Sequence, residues 1–242
     1  RARDIQKQYG IPVMIAENYR YNEEVNIIKD LVEIKKVGDI CYFIWNRFIN
    51  FPQEMTTAKF AAREWRQHSE FPGGVILDTG VHDIAALRHI FGDAQKVQSF
   101  GKPQKEDFAP YSVMMTNMVF KNGILGSYTF YCSGKETVKP FTGLRIFGTG
   151  GMIYLEERDS GKIEVIYNDG KIESLSYKPQ RGYYNELLNF YNALMGVEEI
   201  KVTPEVEYGD AVMMFTMLKS AREERTLQVD ELQYELPVYA LS

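Results

Sequence analysis

Gly73-Gly74-Val75-Ile76-Leu77-Asp78-Thr79-Gly80-Val81-His82-Asp83 is the stretch on which the reading of this chain turns. Two glycines and a short apolar run lead to Asp78, and Ile84, Leu87 and Phe91 continue an apolar stripe at helical spacing. The pattern places a helix N-terminus at Asp78. Four residues of α-helix turn about 400°, so Asp78 and His82 lie roughly 40° apart on one face, one turn from each other. A carboxylate then stands beside an imidazole. A histidine so placed holds a proton near neutral pH and can exchange it with a bound hydroxyl or carbonyl. The same spacing fits a plainer reading, in which Asp78 is a helix N-cap and His82 a helix-face histidine satisfied by it.

Upstream lie Ala16-Glu17-Asn18-Tyr19-Arg20 and Glu64-Trp65-Arg66, and downstream Leu87-Arg88-His89-Ile90-Phe91-Gly92 closes the helix. Taken in order with Gly-Gly-x-x-x-Asp-x-Gly-x-His, with Phe147-Gly148-Thr149-Gly150-Gly151 and with a last helix near residues 210–221, the set resembles the second half of the glucose-fructose oxidoreductase and inositol dehydrogenase (Gfo/Idh/MocA) family. The resemblance runs along essentially the whole chain and rests on the combination. It implies an α+β fold: a large open, mostly antiparallel sheet covered on one face by helices, preceded by the last helix and strand of a truncated Rossmann domain.

The start of the chain is read the same way. Residues 1–9 look like the last turns of a helix stopped by Gly10, and Ile11-Pro12-Val13-Met14-Ile15-Ala16 like a buried parallel strand. Residues 1–16 are therefore expected to be the remnant of an N-terminal dinucleotide-binding domain, and 17–242 the substrate-binding and catalytic domain. No Gly-x-Gly-x-x-Gly follows a strand near the start, and Gly148-Thr149-Gly150-Gly151 falls late, where it reads as a turn. The Glu-Lys-Pro segment that carries the family's catalytic lysine is also missing. The resemblance implies that NAD or NADP is held mainly by a preceding domain.

Composition bounds the partners. The 242 residues are 45% hydrophobic and 13% aromatic, which argues for a packed core, and a net charge of −5 without a long basic run offers no nucleic-acid surface. No apolar stretch of about 18 residues spans a bilayer and no leader is evident, so the cytoplasm is the default compartment. Cys41 and Cys132 sit in strand-like surroundings, and no disulfide is expected.

Asn18, Tyr19 and Arg20 follow the first strand, and the resemblance places them at the rim of the nicotinamide pocket; capping and packing explain Asn18 and Tyr19 equally well. A strand over residues 39–50 alternates Ile40, Tyr42, Ile44, Asn46 and Phe48 with Cys41, Phe43, Trp45, Arg47 and Ile49. Asn46 and Arg47, polar near its end, are candidate substrate contacts, or members of a solvated edge. In the family, Trp65-Arg66 lies over the active-site cleft. Further strands follow at 96–100, 112–121, 124–132, 144–147, 152–156, 162–167 and 171–176, with Asn122-Gly123 as a type I′ hairpin turn. A helix over 183–195 presents Tyr184, Leu187, Leu188, Tyr191 and Leu194 as a buried stripe, Thr203-Pro204 opens the last helix, and 227–239 forms a terminal strand and tail. Aromatic and Met residues on both faces of the strands point to a homo-oligomer formed through the open sheet.

Together these readings describe the substrate-binding and catalytic half of an NAD(P)-dependent oxidoreductase acting on a sugar, polyol or related hydroxyl compound. This half alone is expected to be inactive. His82 and Asp78 are the catalytic pair, and Trp65, Arg66, Asn46 and Arg47 line the substrate pocket. Family members often carry an aspartate three residues after the histidine, where this chain has Ala85, with an acid at Asp83 instead. His89 is read as a partner of the helix C-terminal dipole. The alternative is a ligand-sensing regulator on the same fold. A metal site built from Asp78, His82, His89 and His68 lacks a compact third ligand, so none is expected.

Overall fold

The computed structural model describes residues 2–57, 59–134 and 142–230. Its centre is β1, Ile40–Phe48, where Phe43 is fully buried and stacks on Phe91 with ring centroids 4.6 Å apart. β2 (Ala94–Pro103), β3 (Tyr111–Phe120), β4 (Leu125–Tyr131), β5 (Gly143–Gly148), β6 (Gly151–Leu155), β7 (Lys162–Tyr167), β8 (Ile172–Ser176) and β9 (Leu227–Gln228) complete one sheet in the order β8-β7-β6-β5-β1-β4-β3-β2-β9. β1 and β4 run parallel and the other pairings are antiparallel. The fold is the expected α+β open sheet. Period-two alternation sets its faces: Met114, Thr116, Met118 and Phe120 of β3 are buried, while Met115 between them is exposed.

Helices cover the inner face. α2 (Glu23–Glu33) and α5 (Val75–Phe91) pack against each other, and α7 (Pro204–Glu223) lies across α5 and β2. Thr203 caps α7, its Oγ1 accepting from the Val206 N–H at 3.3 Å, with Pro204 at the first helical position. α1 (Ala2–Tyr9) leads into residues 11–16, where the expected buried strand does not form: they pair with no strand among the described residues and Ile11 is exposed, while the Ile15 N–H bonds to the Val202 carbonyl at 3.0 Å. They reach a short 3₁₀ turn, Asn18–Tyr21. α3 (Phe51–Thr57) and α4 (Glu64–Gln67) are short helices after β1.

Three local expectations change. At the 120–124 hairpin Gly123 alone takes a positive φ, 88°, so the turn is not type I′, which needs both central residues there. The predicted stripe of α6 (Tyr183–Leu194) faces outward: Tyr184, Leu187 and Tyr191 are exposed, whereas Glu186 and Asn189 are buried. The physical reason is a polar contact. Asn189 accepts from the Tyr21 hydroxyl at 2.8 Å and from the Lys201 N–H at 3.0 Å, and its Nδ2 donates to the Glu199 carbonyl at 2.9 Å. These bonds fix the helix by its polar side. Of the predicted terminal strand, residues 227–228 form β9, and 231–239 lie outside the described residues.

Candidate active site

The N-terminus of α5 is set by the two glycines. Gly73 and Gly74 have φ of 88° and 52°, and a side chain at Gly74 would run into the Phe108 carbonyl, which accepts the Val75 N–H at 2.7 Å. The helix therefore starts at Val75, and Asp78 falls in its first turn instead of capping it. The Asp78 carboxylate accepts from Arg66 Nε at 2.8 Å, with both side chains mostly covered. The Arg66 guanidinium in turn lies 3.5 Å from the Phe60 ring centroid and 3.8 Å from that of Trp65. The structure thus brings Trp65-Arg66 to Asp78, by way of Arg66.

His82, one turn further on, takes its hydrogen bond from elsewhere. Its Nδ1 lies 2.6 Å from Glu17 Oε2, and Glu17, 2% exposed, also accepts the Tyr19 N–H at 2.9 Å. Glu17 is therefore the carboxylate partner expected of Asp78. The Tyr19 ring stacks on the imidazole, centroids 4.9 Å apart and 18° from parallel, and the Arg158 guanidinium lies 4.3 Å over the Tyr19 ring. Burial disfavours the charged imidazole, but Glu17, with Asp83 and Asp78 adding to it, raises the His82 pKa above its ordinary value. The ring keeps about a third of its side chain accessible, at 32%. With Nδ1 taken by Glu17, Nε2 is the nitrogen that can exchange a proton with a ligand.

Asn46 and Arg47 reach a neighbouring place. Arg47 Nε stands 3.9 Å from Asp83, whose carboxylate is fully buried and accepts from the Tyr128 hydroxyl at 2.7 Å. Burial works against the guanidinium, but Asp83, Tyr19 and Tyr128 raise its pKa further. Asn46, Arg47, Arg158 and Tyr19 line a cleft of about 230 Å³ between β1, α2 and the ends of β5 and β6, together with Glu24 from the first turn of α2. Burial pushes the Glu24 carboxyl up to about 7.

The turn residues predicted at the nicotinamide rim are engaged inside the domain. Arg20 Nη2 donates to both oxygens of fully buried Asp210 at 2.7 Å, and Arg88 joins the same carboxylate while donating to Asp93 at 2.6 Å. The Asn18 amide donates to the Arg181 carbonyl at 2.6 Å. These contacts tie Asn18 and Arg20 to this domain, while Arg20 Nε is buried without a hydrogen bond, and Tyr19 stacks on His82. His89 is not a charged dipole partner: burial, with Arg20 and Lys29 nearby, lowers its pKa to about 4, and its Nε2 lies 3.1 Å from Asn26 Oδ1. Among the described residues no three His, Cys, Asp or Glu side chains group as metal ligands, and no helix is long and apolar enough to cross a membrane. Both cysteines are free thiols, and burial raises Cys132 to about 12.

Sequence reasoning missed Glu17 and Glu24 as site residues. Glu17 lies 65 positions from His82, beyond any periodicity, and Glu24 reads locally as an N-terminal acid favouring the helix dipole.

Residues 25–154 match the family model described as the GFO/IDH/MocA C-terminal domain. A Saccharomyces cerevisiae protein, YMR315W, is 25% identical over 223 residues, an alignment covering 87% of this chain and 62% of the yeast protein. The crystal structure of an oxidoreductase from Thermotoga maritima superposes with a TM-score of 0.79 at 23% identity, over 94% of this chain and 65% of that one. Levoglucosan dehydrogenase, solved in complex with NADH, superposes at 0.77 with 18% identity, over 93% of this chain and 68% of that one. At these identities the superpositions show the fold. The chain spans somewhat less than two thirds of the yeast and Thermotoga proteins.

Proposed function

Since the chain belongs to the Gfo/Idh/MocA C-terminal domain family, we propose that it is the substrate-binding and catalytic half of an NAD(P)-dependent oxidoreductase that oxidises a secondary hydroxyl of a sugar or polyol. The observation that carries this reading is the Glu17–His82 pair at 2.6 Å, with the ring partly accessible beside Asp78 and the Arg47 cleft. The relative solved with NADH supports a nicotinamide nucleotide. That nucleotide, held by a further domain, supplies the hydride acceptor. Here His82 Nε2 takes the hydroxyl proton as the carbon becomes a carbonyl, and Glu17 holds the ring in one orientation and stabilises the resulting imidazolium. Asp78, fixed by Arg66, presents a carboxylate on the same side. Asn46 and Arg47 contact the substrate in the cleft, and Trp65 flanks the Arg66 end.

Two surfaces complete the reading. The outward stripe of α6, with Leu187 63% and Tyr184 72% exposed, is the docking face for the dinucleotide-binding domain. The open face of the sheet, where Tyr42 stacks on Phe147 and Met115 and Leu125 are exposed, pairs with a second copy. The free thiols fit a reducing cytoplasm.

The test is spectroscopic. In the protein that also carries its dinucleotide-binding domain, neutral sugars or polyols with NAD⁺ or NADP⁺ should give reduced nicotinamide. Saturable ligand binding with no nucleotide reduction across such a panel would refute the enzyme reading.

A further inference from the structure

Glu24 is an anomaly of the cleft. It is 1% exposed, and neither carboxylate oxygen makes a hydrogen bond; the Asn22 amide, itself fully buried, lies beside it without forming one. Arg47 Nε, on the same cleft, is also buried and makes no hydrogen bond, its closest carboxylate oxygen standing 3.9 Å away on Asp83. Buried polar groups left without partners are costly, and native structures seldom keep several in one place unless something else completes them. Here an acceptor from α2 and a donor from β1 line one cavity.

The chemistry narrows what completes them. A carboxylate ligand only accepts, so it would complete Arg47 but meet Glu24 and the further acids of the lining, Glu54, Glu156, Glu157 and Asp159; an ammonium only donates, so it would leave Arg47 Nε without an acceptor. A hydroxyl donates and accepts at once, so it satisfies Glu24 and Arg47 together without bringing a charge. The volume, about 230 Å³, lies below the roughly 300–1,000 Å³ usual for drug-sized ligands. It suits one sugar ring or a short polyol rather than a nucleotide sugar.

We propose that Glu24 and Arg47 read hydroxyl groups of a neutral sugar or polyol in this cleft, and that Glu24 excludes substrates bearing a carboxylate there. The assignment rests on the sugar-oxidising reading above and adds what the substrate carries away from the reacting carbon.

Calorimetric titration of the chain with glucose, galactose, sorbitol, glucuronate and glucosamine tests it. At least one neutral probe should bind saturably, with glucuronate and glucosamine weaker by about tenfold or more, the size of one charge-assisted contact. In Glu24→Gln, near-isosteric and checked by its melting curve, the neutral probe should weaken by about tenfold and the discrimination against glucuronate should narrow, with the other acids of the lining still in place. Saturable binding of no neutral probe, glucuronate binding as tightly as the neutral sugars, or a folded Glu24→Gln with unchanged affinities would each overturn the assignment and leave water as the occupant. The ranking on the unmodified chain stands whether or not the variant folds. Because the readout is binding, the two readings fail separately. Retained discrimination alongside undiminished turnover in His82→Asn would discard proton transfer by His82 and keep Glu24, and loss of turnover with no Glu24 effect would do the reverse.

Discussion

Replacing Glu17 by Gln separates the charge of the Glu17–His82 contact from its shape. The amide keeps an acceptor for the Tyr19 N–H, now bonded at 2.9 Å, and remains in reach of His82 Nδ1, so the turn and the Tyr19 stack are retained. What is lost is the ionic part. Hydrogen bonds to charged groups contribute roughly 1.5–3 kcal/mol against about 0.5–1.5 for neutral ones, which puts the loss near 1–1.5 kcal/mol, or roughly 2–6 °C in a domain of this size. The sign with pH follows from linkage. His82 has a folded pKa raised above its unfolded value, so its contribution is fully present below about pH 6.5 and is lost as pH rises through the folded pKa. The melting difference between wild type and Glu17→Gln should therefore be largest below about pH 6.5 and fade as pH rises through the folded His82 pKa. The chain has three histidines, so their ring protons can be assigned and titrated by NMR. In the variant the His82 pKa should fall, because burial then meets only Asp83 and Asp78, while His89 should still titrate near 4. A melting difference that does not vary with pH, or an unmoved His82 titration, would refute the pairing.

Other perturbations follow from the same packing. Asp210→Asn leaves Arg20 and Arg88, 9% and 13% exposed at their side chains, without their shared carboxylate. The expected loss in urea denaturation is about 3–5 kcal/mol, and less than about 1 would contradict the network. Gly74→Ala puts a side chain into the Phe108 carbonyl at a φ of 52°; strain alone should cost about 1–3 kcal/mol and displace the His82 resonances. A variant as stable as wild type would show that the turn tolerates a side chain. Leu187→Glu, on the outward face of α6, should leave the stability of this domain within about 0.5 kcal/mol yet weaken nucleotide-dependent activity of the two-domain protein. A destabilised domain would place that face inside the core instead.

How far the sequence could be read follows the range of its signals. Local periodicity predicted α5, the strand β1 and the Thr203-Pro204 start of α7, because each depends on residues a few positions apart. It also put Asp78 and His82 on one face, and Asp78 does add to the His82 shift. It missed the actual pairings, Arg66 to Asp78 and Glu17 to His82, because tertiary folding makes them. The apolar spacing of α6 showed an amphipathic helix but not which side faces in. Asn189, a single residue bonding to Tyr21 and to the 199–201 backbone, decided that. The pairing of Arg20 with buried Asp210, 190 positions away, was likewise beyond the reach of local spacing.

The most direct test of the central claim is turnover of His82→Asn in the protein carrying both domains. If His82 transfers the hydroxyl proton, kcat should fall on the order of 10²-fold or more while the nucleotide still binds. A kcat within about threefold of wild type would show that the proton leaves by another route.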